Sequence, residues 1–166
     1  MGYRDDRKWS DGFTPETMQI LCKHFIMAAS REEDVKHNTD VFIVNVGPHR
    51  VSCRVRRHKY LKKYGDEATT RVSRPSGVTT ELEKMMAGWG RFSFYGFANR
   101  EGTKLIRWFI LDLGVLRNHV RSLKTPPILY RNPDGTTFWA FNVWEIPGFV
   151  IASSMDDEWK QHYPGR

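Results

Sequence analysis

Cysteine is scarce in this chain. Cys22 and Cys53 are the only two, and neither belongs to a paired framework or a CxxC metal motif, which argues against a disulfide-built domain and fits a reducing, cytoplasmic setting. Long apolar runs are missing too: no stretch approaches the roughly 18 apolar residues of a membrane helix, and the opening MGYRDDRKWSDGF has no apolar core for a signal peptide. A membrane-embedded or exported protein is therefore not expected. Met1-Gly2 does not begin a myristoylation signal, because Asp6 stands where Ser or Thr is required. A GxxxxGK[ST] phosphate loop, HExxH, paired CxxC and GxSxG are all absent, so NTPase, zinc and α/β-hydrolase chemistry has no local support. Repeats, low-complexity segments and linkers are absent as well, so a single domain over 1–166 is expected.

What the chain does have is enough apolar material for one core and an excess of positive charge. It is 40% hydrophobic and 13% aromatic over 166 residues, which suffices for one sizeable core. The formal net charge is +7, and Lys or Arg laid on phosphates releases condensed counterions, so a polyanionic partner is favoured. General solubility is the plainer account of the same charge.

Periodicity and capping signals divide the chain into elements. Thr14 as N-cap and Pro15 as first helical residue start a helix with Met18, Leu21, Cys22, Phe25 and Ile26 on one face. VFIVNV over 41–46 and a strand over 50–57 are expected to pair as a hairpin through the GPH turn. A charged stretch then leads to the strand ATTRVS and the tight loop RPSG. Thr80 and Glu83 stand in capping-box spacing before Leu82, Met85 and Met86, and Gly88 would end that helix. RFSFYGF is apolar on both parities, as a strand buried on both faces would be, with KLIRWFIL its hairpin partner across ANREG. Asp112 is placed to cap a short helix through Val120, and a last hairpin turns at RNPDG within 126–154. The fold class that results is α/β, a mixed sheet flanked by helices.

The functional signal lies in VSCRVRR. Strand alternation sends Val51, Cys53 and Val55 one way and Ser52, Arg54 and Arg56 the other. Arg50, Arg57, His58, Lys59, Lys62 and Lys63 extend the charge on either side, and a guanidinium fork matches phosphate oxygens. A charged edge strand that resists aggregation would look the same. Thr69, Arg71 and Ser73 share one strand parity and are candidates for the same surface, Arg71 foremost. Asp40 precedes its strand, where it would hold a metal or pair with an arginine. Glu81 and Glu83 fit the first turn of a helix, where the dipole favours acids. Trp108, Trp139 and Trp144 belong in the core; Trp89, between two glycines, is either core or an exposed stacking group.

The order of these elements resembles the PD-(D/E)XK nuclease superfamily, in particular its small phage-encoded members. The run CRVRR, ATTRVS, RPSG, TTELEKMM and RFSFYGF carries the resemblance, with a nuclease-like core over 14–120 and the hairpin of 126–154 as an extension. Asp40 matches the first acidic position. Where the resemblance requires an acidic residue, any residue and lysine, the chain offers Ser52-Cys53-Arg54 or Arg54-Val55-Arg56. Two carboxylates would hold Mg²⁺ in that mechanism, whereas guanidinium groups neither bind a cation nor act as a base near neutral pH.

The resemblance therefore implies a phage or mobile-element protein that binds DNA or RNA through Arg54, Arg56, Arg57, Lys59, Lys62, Lys63 and Arg71 without cutting, and needs no cofactor. The alternative is an active metal-dependent nuclease with Mg²⁺ or Mn²⁺ on Asp40 and a relocated Glu81, and Lys84 or Arg54 supporting the attacking water. Asp66 and Glu67 are further carboxylates able to migrate into such a site. A third reading is an interaction protein acting on an acidic host or defence protein.

Overall fold

The structure, a computed structural model, describes residues 3–28, 41–43 and 50–155. By internal contacts the chain divides into two compact units, Met1–Pro48 and His49–Arg166.

The first unit contains helix α1 (Tyr3–Asp11), helix α2 (Thr14–Phe25) and a two-stranded antiparallel pair, β1 (Ile26–Ala28) with β2 (Val41–Ile43). Helix α2 begins where the Thr-Pro signal places it. Its buried positions are not the expected ones: Thr17 is buried, whereas Met18 and Cys22 are exposed. Phe13, just ahead of α2, is buried and meets Trp9 of α1 edge to face at 5.1 Å. Helix α1 was not anticipated, because its YRDDRKWSD sequence has no apolar stripe.

The second unit holds two sheets. One is mixed and runs β3 (Val51–Arg56), β5 (Phe92–Ala98), β6 (Leu105–Asp112), β9 (Val150–Ser153) from edge to edge; the other is antiparallel and runs β4 (Glu67–Ser73), β8 (Thr137–Asn142), β7 (Tyr130–Arg131), with β8 in the middle. A 3₁₀ turn (His58–Tyr60) and the short helix α3 (Leu61–Tyr64) join β3 to β4, helix α4 (Glu81–Met86) lies between β4 and β5, and helix α5 (Leu113–Ser122) follows β6. The class is mixed α/β with a mixed sheet flanked by helices.

Strand β5 explains the centre. Its apolar side chains on both parities can be desolvated only if both faces are covered and both edges are paired. Strand β6 takes one edge through the ANREG hairpin, and β3 takes the other in parallel, with Arg54 opposite Tyr95. This corrects the expected 41–57 hairpin. The described part of VFIVNV pairs with β1, and β3 finds its partner some forty residues downstream.

One face of β5 and β6 sends Tyr95, Phe97, Phe109 and Leu111 into the core, where they meet Met85 of α4, Leu116 of α5 and Phe141 of β8. Burying each large side chain of this kind contributes about 1.5–3 kcal/mol. On the opposite face Phe94 and Ile110 are buried, and Phe94 stacks on Trp108 with centroids 6.1 Å apart. Trp139 and Trp144 pack partly buried against the core, as expected. Segment 126–154 is laced into both sheets: β8 pairs with β4, β9 pairs with β6, and Val143, Ile146 and Phe149 are core residues.

Local signals placed the helix ends correctly. Thr80 and Glu83 form the reciprocal capping box of α4. The Asp112 carboxylate accepts from the Gly114 and Val115 amides at 2.6 and 3.2 Å, starting α5. Gly114 matters there, since a Cβ would lie 2.9 Å from that same carboxylate.

Candidate functional site

The alternation of β3 turns Arg54 toward β4 and α4, where it meets a carboxylate. Because Thr80 and Glu83 satisfy the capping of α4, Glu81 in the first turn is free to face the strands. Glu81 accepts from the Arg54 guanidinium through Oε1 and from the Arg71 amide through Oε2 at 3.1 Å; the Arg71 guanidinium lies 4.0 Å away. Arg54 also donates to the carbonyl and hydroxyl oxygens of Thr69, at 3.1 and 2.9 Å, and Thr69 Oγ1 lies 3.2 Å from the Tyr95 hydroxyl. Burial alone would lower the Arg54 pKa, but the charge and hydrogen bonds of Glu81 and Tyr95 outweigh it and hold the guanidinium above its ordinary value. Arg54 is thus a permanent cation whose field is partly offset by one carboxylate.

This cluster forms part of the wall of a cleft of about 290 Å³, bounded by the start of β3, the middle of β4, helix α4, the turn after α4 and strand β5. Its charged lining residues are Arg50, Arg54 and Lys84 against Glu81, so positive charge prevails. Arg50 and Lys84 are exposed and have no ion-pair partner among the described residues. Ser52, Ser93, Thr69 and Tyr95 add hydroxyls.

At the lip stands Trp89, 60% exposed, where the sequence left a choice between core and stacking group. The backbone explains why it is outside. Gly88 and Gly90 adopt φ of +84° and +87°, conformations that L side chains disfavour. The Trp89 and Gly88 amides donate to the carbonyls of Lys84 and Met85, at 2.9 and 3.0 Å, a Schellman closure of α4. Arg117 of α5 reaches across to the carbonyls of Met85 and Gly90, at 3.4 and 3.2 Å. The Arg50 guanidinium lies 5.8 Å from the indole centroid, within cation–π range.

The remaining sequence candidates distribute unevenly. Arg71 joins Arg54 at Glu81, and Thr69 lines the same surface, but Ser73 bonds Thr137 beyond a bulge in β4. Arg56 stacks over Tyr60 and Tyr64, at 4.8 and 5.9 Å. Arg57 is half-buried ahead of the 3₁₀ turn, and Lys59, Lys62 and Lys63 are exposed along that turn and α3, with Lys59 over Tyr60 and Lys63 over Tyr64. Lys84 is exposed and lines the cleft with Glu81. Asp40 lies outside the described residues. Asp66 does not join Glu81: it accepts from Arg107 and, at 2.8 Å, from the Trp144 indole. Among the described residues no group of three or more His, Cys, Asp or Glu side chains is arranged to hold a metal ion, and no helix is long and apolar enough to cross a membrane.

Sequence reasoning missed Tyr95, hidden in an aromatic run, and gave Arg50 only a flanking place. The Gly-Trp-Gly tripeptide was the available signal for Trp89. No protein-family model, curated protein or solved structure matches the chain.

Proposed function

We propose that this protein binds DNA or RNA through the cationic cleft and the basic turn that follows β3, and does not cut it. The observation that carries this reading is the cleft itself, in which Arg50 and Lys84, without an ion-pair partner among the described residues, stand beside Arg54, and Glu81 is the one lining carboxylate among those residues. Lys59, Lys62 and Lys63 extend the cationic surface along the chain. Such cations hold phosphates by charge and counterion release, without a metal. The mixed sheet flanked by helices agrees with the nuclease-like fold that the element order suggests, and that fold, with a phage or mobile-element source, remains part of the proposal. Against cleavage stands the pairing of Glu81 with a guanidinium, since Mg²⁺ or Mn²⁺ would have to displace Arg54 from it.

The test is a titration of labelled single-stranded and duplex DNA and RNA over about 50 to 200 mM salt, where several phosphate contacts cost orders of magnitude in affinity. Each is run with Mg²⁺, Mn²⁺ or EDTA. The reading requires steep salt dependence, no strand scission, and weaker binding by Arg50→Ala and Lys84→Ala. Metal-dependent scission would make Glu81 and Lys84, which share the cleft, the catalytic candidates instead. Absence of binding would shift attention to a protein partner, for which the exposed Ile128, Leu129 and Tyr130 at the β7 edge offer a contact.

A further inference from the structure

We infer that the cleft takes one unpaired nucleotide, its base stacked on Trp89 and its phosphates on Arg50 and Lys84, so that the protein prefers single-stranded to duplex nucleic acid. The inference rests on the nucleic-acid reading above and adds the kind of strand and the group that selects it.

Three independent features single out Trp89. First, its exposure is built in: two left-handed glycines, the Schellman closure and the Arg117 clamp hold the turn that carries it. An aromatic side chain carried on a held turn loses less freedom when a base stacks on it than one on a mobile loop, which would have to be ordered first. Second, the indole stands beside cations. Arg50 is 5.8 Å from its ring, and Lys84 lines the same cleft. An aromatic plane next to a guanidinium and an ammonium matches a nucleotide, which joins a flat base to an anionic phosphate, better than it matches a purely apolar ligand. Third, the size fits. About 290 Å³ is near the lower end of ligand pockets, room for a single nucleotide and not for a duplex.

Selectivity for unpaired strands follows from access. In a duplex the base faces are already stacked on their neighbours, so the phosphates can reach Arg50 and Lys84 but no base face can reach the indole without unstacking. The hydroxyls of Ser93 and Tyr95, farther along the lining of the cleft, are placed to meet base or sugar polar atoms.

The test compares oligo(dT) and oligo(rU) of about 12 nucleotides with a duplex of equal length and with an abasic strand carrying the same phosphates. Fluorescence anisotropy reads affinity for the wild type and for Trp89→Phe, Trp89→Leu and Trp89→Ala. Loss of one base stack corresponds to about a tenfold weakening. The expected result is that Trp89→Leu and Trp89→Ala weaken single-strand binding by that factor and leave duplex binding unchanged. Trp89→Phe should retain most of it, and the abasic strand should bind the wild type as weakly as it binds Trp89→Ala. The oligo(dT) and oligo(rU) arms separate DNA from RNA. Equal affinity for abasic and normal strands, or unchanged single-strand binding by Trp89→Leu, overturns the stacking site while leaving the electrostatic reading intact. Failure of every strand to bind overturns both.

Discussion

Replacing Glu81 by Gln should loosen the fold and tighten anion binding at the same time. The carboxylate takes the Arg54 guanidinium and the Arg71 amide, and the Arg71 guanidinium lies 4.0 Å off. Gln keeps an oxygen for the Arg71 amide but loses the charge opposite Arg54. A hydrogen bond to a charged group contributes about 1.5–3 kcal/mol. The two side chains are 31% and 38% exposed, so solvent screening reduces that to about 1–2 kcal/mol. For a unit of this size about 4 °C of melting temperature corresponds to each kcal/mol. The melting temperature should fall by about 4–8 °C, and a double-mutant cycle with Arg54→Met should recover a coupling of about 1 kcal/mol. Binding should move the other way. Arg54, no longer offset by Glu81, becomes available to a phosphate, so the log–log salt slope should steepen by about 0.7 for a single strand. The assays are thermal unfolding and salt-dependent anisotropy on the same preparations. If Glu81→Gln stays folded yet binds more weakly, with the salt slope unchanged, Glu81 contacts the ligand itself and its role as a competitor for Arg54 is wrong.

Other perturbations probe the frame that holds the cleft. Thr80 hydrogen bonds hold the Glu83 carboxyl below its ordinary value, so the folded form binds its proton less readily than the unfolded chain. The stabilisation from Glu83 should be fully present above the ordinary carboxylate pKa and fade as pH falls through the lowered one. Comparing wild-type and Glu83→Gln stability across that acid range checks this, and a difference that grows toward low pH would contradict it. Asp112→Ala removes the cap of α5 and the 2.9 Å contact with Arg91; chemical denaturation should show a loss of about 1–2 kcal/mol, and an unchanged midpoint would argue that water replaces the cap. Phe109→Ala empties a fully buried site on β6 within the main core and should cost about 3–5 kcal/mol. A smaller loss in urea unfolding would mean that the core collapses into the space.

Much of the local architecture could be read directly from the chain. The capping box at Thr80 and Glu83, the Asp112 cap and the β5–β6 hairpin depend on contacts between residues close in sequence. A side chain either meets the free amides of its own helix or leaves them to water, and apolar residues on both parities demand two covered faces. The basic character of β3 and its turn follows from the order of residues alone, and so does the absence of the acidic-x-lysine pair. Fold family and cleft chemistry are less local.

Only the tertiary structure decided which strand lies beside β3. The short turn after VFIVNV favoured an adjacent hairpin by proximity, but the open edge of β5 offered a larger desolvated partner, and β3 pairs there in parallel. The same long-range packing set the effective charge of the site. Arg54 and Arg71 are cations by sequence, yet the helix that brings Glu81 against them determines how much of that charge remains for a ligand. It also fixed the position of Trp89: an indole between two glycines is compatible with core or surface, and the clamp from Arg117, distant in the chain, holds its turn at the cleft lip. Residue type sets the chemistry available at each position, whereas pairing and exposure depend on which remote surfaces gain most by excluding water.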